Sequence, residues 1–170
     1  AVIGAGPQGL AAAAHLTERG LPVVVLEQGP HAAAAVADWG HVRLFSGWSE
    51  LVDGAAARLL AGTGWHAPAG TPTGAQWVER YLSPLAAALG DRVRYGSRVT
   101  GVSRWGRDRL VDADRGAQPF VLHVELHGAE PYRLRARAVI DASGTWSTPN
   151  PAGGDGLPAR GDAAAAESPH

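Results

Sequence analysis

The chain of 170 residues contains no cysteine and no methionine. The lack of cysteine excludes disulfide bonds, thiolate metal sites and a dithiol redox centre from these residues. All fifteen basic residues are arginine, which we attribute to coding bias. Because the chain opens within an apolar run and closes on a stretch rich in glycine, proline and alanine, we expect it to be part of a longer protein, with 151–170 as a linker.

Charge is also scarce in this sequence. Charged residues make up 18% of the chain, below the ~25% of typical domains, and the formal net charge is −1. No basic cluster is present that would bind nucleic acid. No apolar run approaches the ~20 residues of a membrane span, and no signal peptide precedes the first apolar run. We therefore expect a soluble, cytoplasmic protein of one domain's length, without a membrane or nucleic-acid partner.

The most informative stretch is the first 27 residues. A short apolar run is followed by Gly4-Ala5-Gly6-Pro7-Gln8-Gly9, an alanine-rich helical segment and a second apolar run that ends at Glu27. This is the G-x-G-x-x-G pattern of a βαβ unit that binds a dinucleotide. Gly4 permits a tight turn, Gly6 lets the backbone approach a pyrophosphate, and Gly9 lets the helix pack close to the sheet. The first N–H groups of the helix then face the phosphates.

Glu27 lies at the end of the second strand, about 20 residues past the turn. A carboxylate there accepts hydrogen bonds from both ribose hydroxyls and repels a 2′-phosphate. The residue therefore predicts the ADP half of FAD or NAD, and argues against NADP at this site. A G-x-G-x-x-G alone is a weak signal in a chain with 23 glycines, but here the strands, the helix and the terminal acid all stand in place.

Beyond residue 27 the pattern changes from alternating elements to successive strands. Helical spacing predicts helices over 32–37, 50–60 and 73–89, the last kinked at Pro84, with Trp77 and Tyr81 in the core. Strands are predicted over 93–102, 109–111, 120–126, 132–136 and 138–142, and those at about 107–137 form an antiparallel meander. The sequence thus predicts an α/β fold, a Rossmann-like FAD/NAD(P)-binding domain over 1–150. This domain would contain a parallel sheet and an antiparallel β-meander. The first two strands, 1–4 and 23–27, would be neighbours in the parallel sheet.

Few side chains outside the glycine turn suggest chemistry. Trp39 and Arg43 could cover a ring system and bind phosphate, or equally serve as a packing residue and a surface charge. His123 and His127 are four residues apart, but the first lies in a predicted strand and the second in a turn. Their side chains would therefore not point at one metal ion, and we expect no metal site. No acid–base or nucleophile constellation is visible, and the catalytic residues stay unassigned.

The last apolar strand leads into Ala142-Ser143-Gly144-Thr145-Trp146-Ser147-Thr148-Pro149, a small-residue turn where backbone can approach a ligand. With the glycine turn, Glu27 and the meander, this order resembles the FAD domain of the two-dinucleotide-binding-domain flavoproteins. Within them it is most similar to the flavin-containing monooxygenase-like group. The A-[ST]-G-x-x-S-x-P element and the segment Pro72-Thr73 with Tyr81-Leu82 match motifs of that group.

The resemblance implies a set of cofactor-binding residues. Gly4, Gly6, Pro7, Gln8 and Gly9 would hold the FAD pyrophosphate, Glu27 the adenosine ribose, and the backbone of Val99 the adenine. Ser143 and Gly144 would lie beside the cofactor, and Trp39 and Arg43 would approach its flavin side. The sequence departs from the group at Ala32–Ala35, where relatives often carry Gly-Gly.

The resemblance also implies a reaction. NADPH, bound by a further domain outside this segment, would reduce FAD, and the reduced flavin would use O₂ to oxygenate a small organic substrate. Two alternatives stay open: an NAD-dependent dehydrogenase, against which the meander argues, and a non-catalytic dinucleotide-binding module. A disulfide reductase would need a cysteine pair from outside these residues. We expect the segment alone to be inactive.

Overall fold

A computed structural model describes residues 1–111, 113–146, 148 and 150–162. A strand–helix–strand unit opens the chain, a run of helices follows it, and strands dominate from residue 93 onwards. In chain order the elements are β1 (Val2–Ile3), α1 (Pro7–Glu18), β2 (Val25–Leu26), α2 (Ala34–Asp38), α3 (Trp48–Leu51), α4 (Gly54–Ala61), α5 (Gly74–Trp77), a π-helical turn (Val78–Leu82), α6 (Ser83–Leu89), β3 (Val93–Arg94), β4 (Ser97–Arg104), β5 (Phe120–Leu126), β6 (Ala129–Ala136) and β7 (Ile140–Asp141).

The first sheet is parallel, with strand order β3-β2-β1-β7. Val2 pairs with Val25 on one side and with Ile140 on the other. The predicted pairing of the first two strands is therefore confirmed, as is the α/β Rossmann-like fold. In this topology the carboxyl ends of β1 and β7 lie side by side, so the glycine turn and the turn after β7 meet at one sheet edge.

Two hydrophobic clusters sandwich this sheet. Helices α1, α4 and α6 pack together on one face, where Leu10, Leu60 and Leu85 are fully buried. On the other face, Leu26 packs with Leu122 and Val124 of the second sheet. The alanines of α1 let the helix lie close to the strands, because a small side chain keeps the two backbones near each other. Within the described residues, no helix has the length and apolar character needed to cross a bilayer.

The second sheet is antiparallel with order β4-β5-β6, but its bounds differ from the predicted meander at about 107–137. It begins at Ser97, and the apolar run at 109–111, expected to be a strand, is part of a turn. The cause is local: the Asp108 carboxylate accepts hydrogen bonds from the backbone N–H groups of Leu110 and Val111 at 2.8 and 2.9 Å. Such an Asx turn competes with strand formation.

The predicted helix over 73–89 forms as three consecutive helical pieces rather than one α-helix. Thr73 caps it in a capping box with Gln76. The π-helical turn ends at Leu82, two residues before Pro84, which cannot donate to the carbonyl of Arg80 four residues earlier. The indole N–H of Trp65 donates to that carbonyl instead, at 2.6 Å. The proline therefore changes the helix geometry without ending the helix.

Candidate functional site

The glycine turn joins β1 to α1 at the carboxyl edge of the parallel sheet. Gly4 has φ +91°, in the left-handed region that favours glycine, and a Cβ there would lie 2.7 Å from the carbonyl oxygen of Ala142. A Cβ at Gly9 would lie 1.9 Å from the carbonyl oxygen of Gly4. Both glycines are therefore required by close packing within the protein itself.

Gly6 differs from these two glycines. It is the N-cap residue of α1 in extended conformation, followed by Pro7 at the first helical position. A Cβ at Gly6 would meet no protein atom within 4 Å. The protein leaves open space there, at the end of a 12-residue helix where unpaired N–H groups and the positive end of the helix dipole favour an anion.

The Glu27 carboxylate is 8% exposed and bonded on both oxygens. Oε2 accepts the backbone N–H of Ala5 at 2.6 Å, and Oε1 accepts that of Gly29 at 2.7 Å. Burial raises the pKa of nearby Tyr95 above its usual value, and the negative charge of Glu27 raises it further. Each carboxylate oxygen has capacity for one more hydrogen bond. Glu27 thus anchors the glycine turn and can still accept from a ligand.

The start of β4 lies beside Glu27. The backbone N–H of Ser97 donates to the carbonyl of Glu27 at 2.8 Å. Val99, two residues on, is partly buried and pairs with Val124 just before a register shift in the ladder. The residues predicted to contact the adenine and the ribose are therefore near each other in the structure.

The segment predicted to face the flavin follows α2 and lies against the start of α5. The half-buried ring of Trp39 occupies the space over Gly74, where a Cβ would lie 2.8 Å from it. Arg43 forms an isolated bridge with Thr73, and its Nη1 donates to the carbonyl of Thr71 at 2.7 Å. Arg43 is exposed and retains other donors for a ligand.

The departure from the resembled group at Ala32–Ala35 has a backbone consequence. Ala33 has φ 55°, in the left-handed region, directly before α2. Its N–H donates to the carbonyl of Ala5 in the glycine turn at 2.9 Å. An alanine thus holds a conformation that glycine adopts at lower cost, within a segment bonded to the turn.

The turn after β7 is exposed and ordered by its own hydrogen bonds. Ser143 donates to Oδ1 of Asp141 from its hydroxyl at 2.7 Å and from its backbone N–H at 3.1 Å. These bonds hold the pKa of Asp141 below its usual value. Gly144 has φ +71° and open space where a Cβ would be. The Cα of Ser143 lies 3.2 Å from the position of a Cβ on Gly4, so these two predicted site residues are neighbours. Ser147 and Pro149 of the motif fall outside the described residues.

Two features of the site were not predicted. The indole N–H of Trp146 donates to Oδ2 of Asp38 at 2.9 Å, which links the turn after β7 to the end of α2. Asp53, an ordinary carboxylate in the sequence, caps α4 and pairs with His15 at 3.0 Å. Neither pair has a sequence signal, because their members lie 108 and 38 residues apart. Within the described part of the chain, no three His, Asp or Glu side chains are grouped to hold a metal.

Comparisons with known proteins agree with this geometry. Residues 2–67 match the family model of an NAD(P)-binding Rossmann-like domain. The structure resembles bacillithiol disulfide reductase Bdr (YpdA) from Bacillus cereus, with a TM-score of 0.67 and 22% identity over 91% of this chain. It also resembles DfoA bound to FAD, the desferrioxamine biosynthetic pathway cadaverine monooxygenase from Erwinia amylovora. The TM-score is 0.61 and the sequence identity is 18% over 84% of this chain. For OTEMO in complex with FAD and NADP, the TM-score is 0.57 and the sequence identity is 22% over 84% of this chain.

The chain spans 41% of Bdr, 35% of DfoA and 25% of OTEMO. No curated protein matches it. The likeness to solved flavoproteins confirms, at the level of the fold, the resemblance drawn from the motifs. The matched segment and the similar solved structures therefore both show a Rossmann-like fold.

Proposed function

We propose that this chain, which shares the Rossmann-like fold of FAD-bound oxidoreductases, binds FAD and is the FAD-binding part of an NAD(P)H-dependent flavoprotein oxidoreductase. The observation that carries the proposal is that one turn combines open space at Gly6, at the N-terminus of α1, with the Glu27 carboxylate, which accepts a hydrogen bond from Ala5 of the same turn. Elsewhere in the same turn, a Cβ at Gly4 or Gly9 would meet protein backbone.

The residues present fit a dinucleotide with an unmodified ribose. The turn from Gly4 to Gly9, including Pro7 and Gln8, receives the pyrophosphate. Glu27 accepts hydrogen bonds from the ribose hydroxyls, since both of its oxygens retain a free lone pair. Val99 contacts the adenine, and Ser143 and Gly144 border the cofactor. The resemblance to flavoproteins implies these roles, and two contacts support them: the hydrogen bond from Ala5 to Glu27 and the 3.2 Å distance between the Cα of Ser143 and the Cβ position of Gly4.

The finer proposal is a flavin monooxygenase that oxygenates a small organic substrate with O₂. Bound FAD supplies the redox chemistry, and the protein orients it and excludes water. Trp39 and Arg43 cover the flavin side. The named monooxygenase DfoA among the similar structures supports this reading, and the absence of cysteine from the sequence disfavours a dithiol mechanism within these residues. NADPH would bind to a further domain, consistent with the larger size of the similar flavoproteins. The cytoplasmic location remains a prediction.

One other function has a specific observation in its favour. The family model matched by residues 2–67 is that of an NAD(P)-binding domain, and Glu27 accepts the ribose of NAD as well as that of FAD. An NAD-dependent dehydrogenase or a non-catalytic dinucleotide-binding module would therefore use the same turn. The two ligands are distinguished by direct binding.

The test is flavin retention. The purified protein, as this chain and in a form that includes more of its gene's coding sequence, is incubated with excess FAD and desalted, and its visible absorption is recorded. Gly6→Ala is the site variant. Gly116→Ala is the matched control, because Gly116 also has no atom within 4 Å of a Cβ but lies in the loop between β4 and β5. We expect flavin to be retained by wild type and control and lost from Gly6→Ala.

Two results would overturn the proposal. Stabilisation by NAD with no retained FAD in either form favours the dehydrogenase or the binding module. Equal flavin retention by Gly6→Ala and wild type removes the assigned pyrophosphate site. If the longer form holds FAD, NADPH-dependent oxygen consumption tests the monooxygenase proposal, and flavin reduction without oxygen consumption would reject it.

A further inference from the structure

A side-chain hydrogen bond joins the two segments that flank the glycine turn. The indole N–H of Trp146 donates to Oδ2 of Asp38 at 2.9 Å. In the first sheet, β1 lies between β2 and β7. Asp38 ends α2, which follows β2, and Trp146 comes after β7. A direct bond between these segments therefore crosses the carboxyl end of β1, where the glycine turn begins and where open α/β sheets bind their ligands.

Both segments are fixed to β1 or to its turn at their bases. Directly before α2, the backbone N–H of Ala33 donates to the carbonyl of Ala5 at 2.9 Å. On the other side, the backbone N–H of Ala142 donates to the carbonyl of Ile3, also at 2.9 Å. The bond between the aspartate and the indole joins the far ends of the two segments. The two segments and β1 therefore form a closed ring around the glycine turn.

The two bonded side chains stand next to residues that we assign to the cofactor. Trp39, assigned to the flavin side, follows Asp38 directly, and Gly144, assigned to the border of the cofactor, lies two residues before Trp146. Gly144 has φ +71° and open space where a Cβ would be, so no contact at that position fixes the turn. The Asp38–Trp146 bond therefore limits how far the two borders of the proposed site can move apart.

The fold itself has little need of this pair. Trp146 is 51% exposed and Asp38 is also exposed, and within the described residues neither belongs to a hydrophobic cluster. Trp146 occupies a position that the A-[ST]-G-x-x-S-x-P element leaves open, so the motif does not require an indole there. Removing either side chain should leave both cores intact, because surface substitutions usually change stability little.

We propose that Asp38 and Trp146 are positioning residues that retain the bound dinucleotide. The inference rests on the proposed function. While their bond is made, a ligand on the glycine turn is enclosed between α2 and the turn after β7, and it leaves when the bond opens. Because the ligand enters through the same opening, loss of the bond should speed the dissociation of FAD without slowing its association.

The test measures the association and dissociation rates of FAD by stopped-flow fluorescence, on this chain and on the longer form. The variants are Trp146→Phe, Asp38→Ala and the two combined. We expect each single variant to release FAD about 3- to 10-fold faster, which corresponds to the loss of one hydrogen bond. The double variant should release FAD no faster than the single variants, because both remove the same bond.

Two further variants separate the bond from the bulk of the side chains. Asp38→Asn should release FAD at nearly the wild-type rate, because an amide oxygen still accepts the indole N–H. Trp105→Phe is the matched control, since Trp105 is 46% exposed but lies beside Arg135 on the second sheet, and it should leave both rates unchanged. The bond itself is followed by the indole ¹H–¹⁵N resonance that disappears in Trp146→Phe, which should shift in Asp38→Ala without FAD.

The inference and the proposed function fail in different ways. Wild-type dissociation rates in both single variants overturn the inference and leave the proposed function standing. The inference is also overturned by additive effects in the double variant, by an Asp38→Asn as fast as Asp38→Ala, or by an unmoved indole resonance. Slower association with unchanged dissociation rejects it too, because the pair would then organise the empty site. If wild type binds no FAD in either form, the proposed function itself fails, and the inference with it.

Discussion

Two alanine substitutions in one turn should have opposite consequences for folding and for binding. At Gly9, a Cβ would lie 1.9 Å from the carbonyl oxygen of Gly4 and 3.5 Å from the Cβ of Ala142. The backbone cannot yield cheaply there, because Gly4 also bonds to Leu26 in the adjacent strand. We expect Gly9→Ala to lower the free energy of unfolding by about 3 kcal/mol or more, as for severe overpacking of a core.

At Gly6 the same substitution meets no protein atom. Alanine is a poorer N-cap residue than glycine by about 0.5–1 kcal/mol, but it also restricts the unfolded chain by about 0.4–1 kcal/mol. The two effects nearly cancel, so the free energy of unfolding should change by less than about 0.5 kcal/mol. FAD binding should weaken at least about 10-fold, because hydrogen bonds to a charged group contribute about 1.5–3 kcal/mol each.

The assay is urea unfolding of both variants, paired with FAD titration of those that fold, and Gly116→Ala serves as the neutral control. The reasoning predicts a stable Gly6→Ala that binds poorly and an unstable Gly9→Ala. It is refuted if Gly6→Ala unfolds as readily as Gly9→Ala, or if Gly6→Ala binds FAD as tightly as wild type. The first result would mean that the space at Gly6 is structural, and the second that no ligand uses it.

Three further predictions concern stability. Ala33→Gly should stabilise the protein by about 0.5 kcal/mol in urea unfolding, because relief of a left-handed conformation, about 1–2 kcal/mol, exceeds the added entropy of the unfolded chain; a less stable variant would contradict this. Burial raises the pKa of Asp53, but hydrogen bonds from Ala56, His15 and Ala55 outweigh it and the net pKa is lowered. Its ionised form therefore stabilises the fold above about pH 4. The free energy of unfolding of wild type should exceed that of Asp53→Asn above this pH, and the difference should vanish as the pH falls below about 4. A difference that does not change with pH would exclude this cause. Trp65→Phe should cost about 1 kcal/mol in thermal unfolding, because the carbonyl of Arg80, to which Pro84 cannot donate, loses its remaining donor; no loss of stability would mean that water replaces the indole N–H.

The first βαβ unit was predictable because its signals are local. The glycine spacing, the small apolar helix and the second apolar run each report on neighbouring residues, and all three elements form as expected. The structure adds the steric reason for glycine at positions 4 and 9, because a Cβ at either residue would lie too close to backbone atoms. The role of Ala142 as a partner of both could not be read from the sequence, since it depends on β7 pairing with β1.

The errors and omissions arose where side chains override or connect distant segments. The run at 109–111 has strand-like residues, but Asp108 turns the backbone before a ladder can form. The Asp38–Trp146 bond joins residues that only the fold brings together. Helical spacing places Trp77 in the core, but only the three-dimensional packing shows that its indole nitrogen has no hydrogen-bond partner among the described residues. The roles of Trp39, Arg43 and Val99 remain predictions.

The central claim is that FAD lies across the glycine turn, with its pyrophosphate at the start of α1. Backbone amide shifts in ¹⁵N-labelled protein, recorded during FAD titration, test this directly. The account predicts large, saturable shifts at Gly6, Gln8 and Gly9, together with shifts at Gly144 across the sheet edge, while Gly116 in the distant loop stays unchanged. Saturable shifts that leave the amides of the glycine turn unmoved, or no shifts at any FAD concentration, would contradict it.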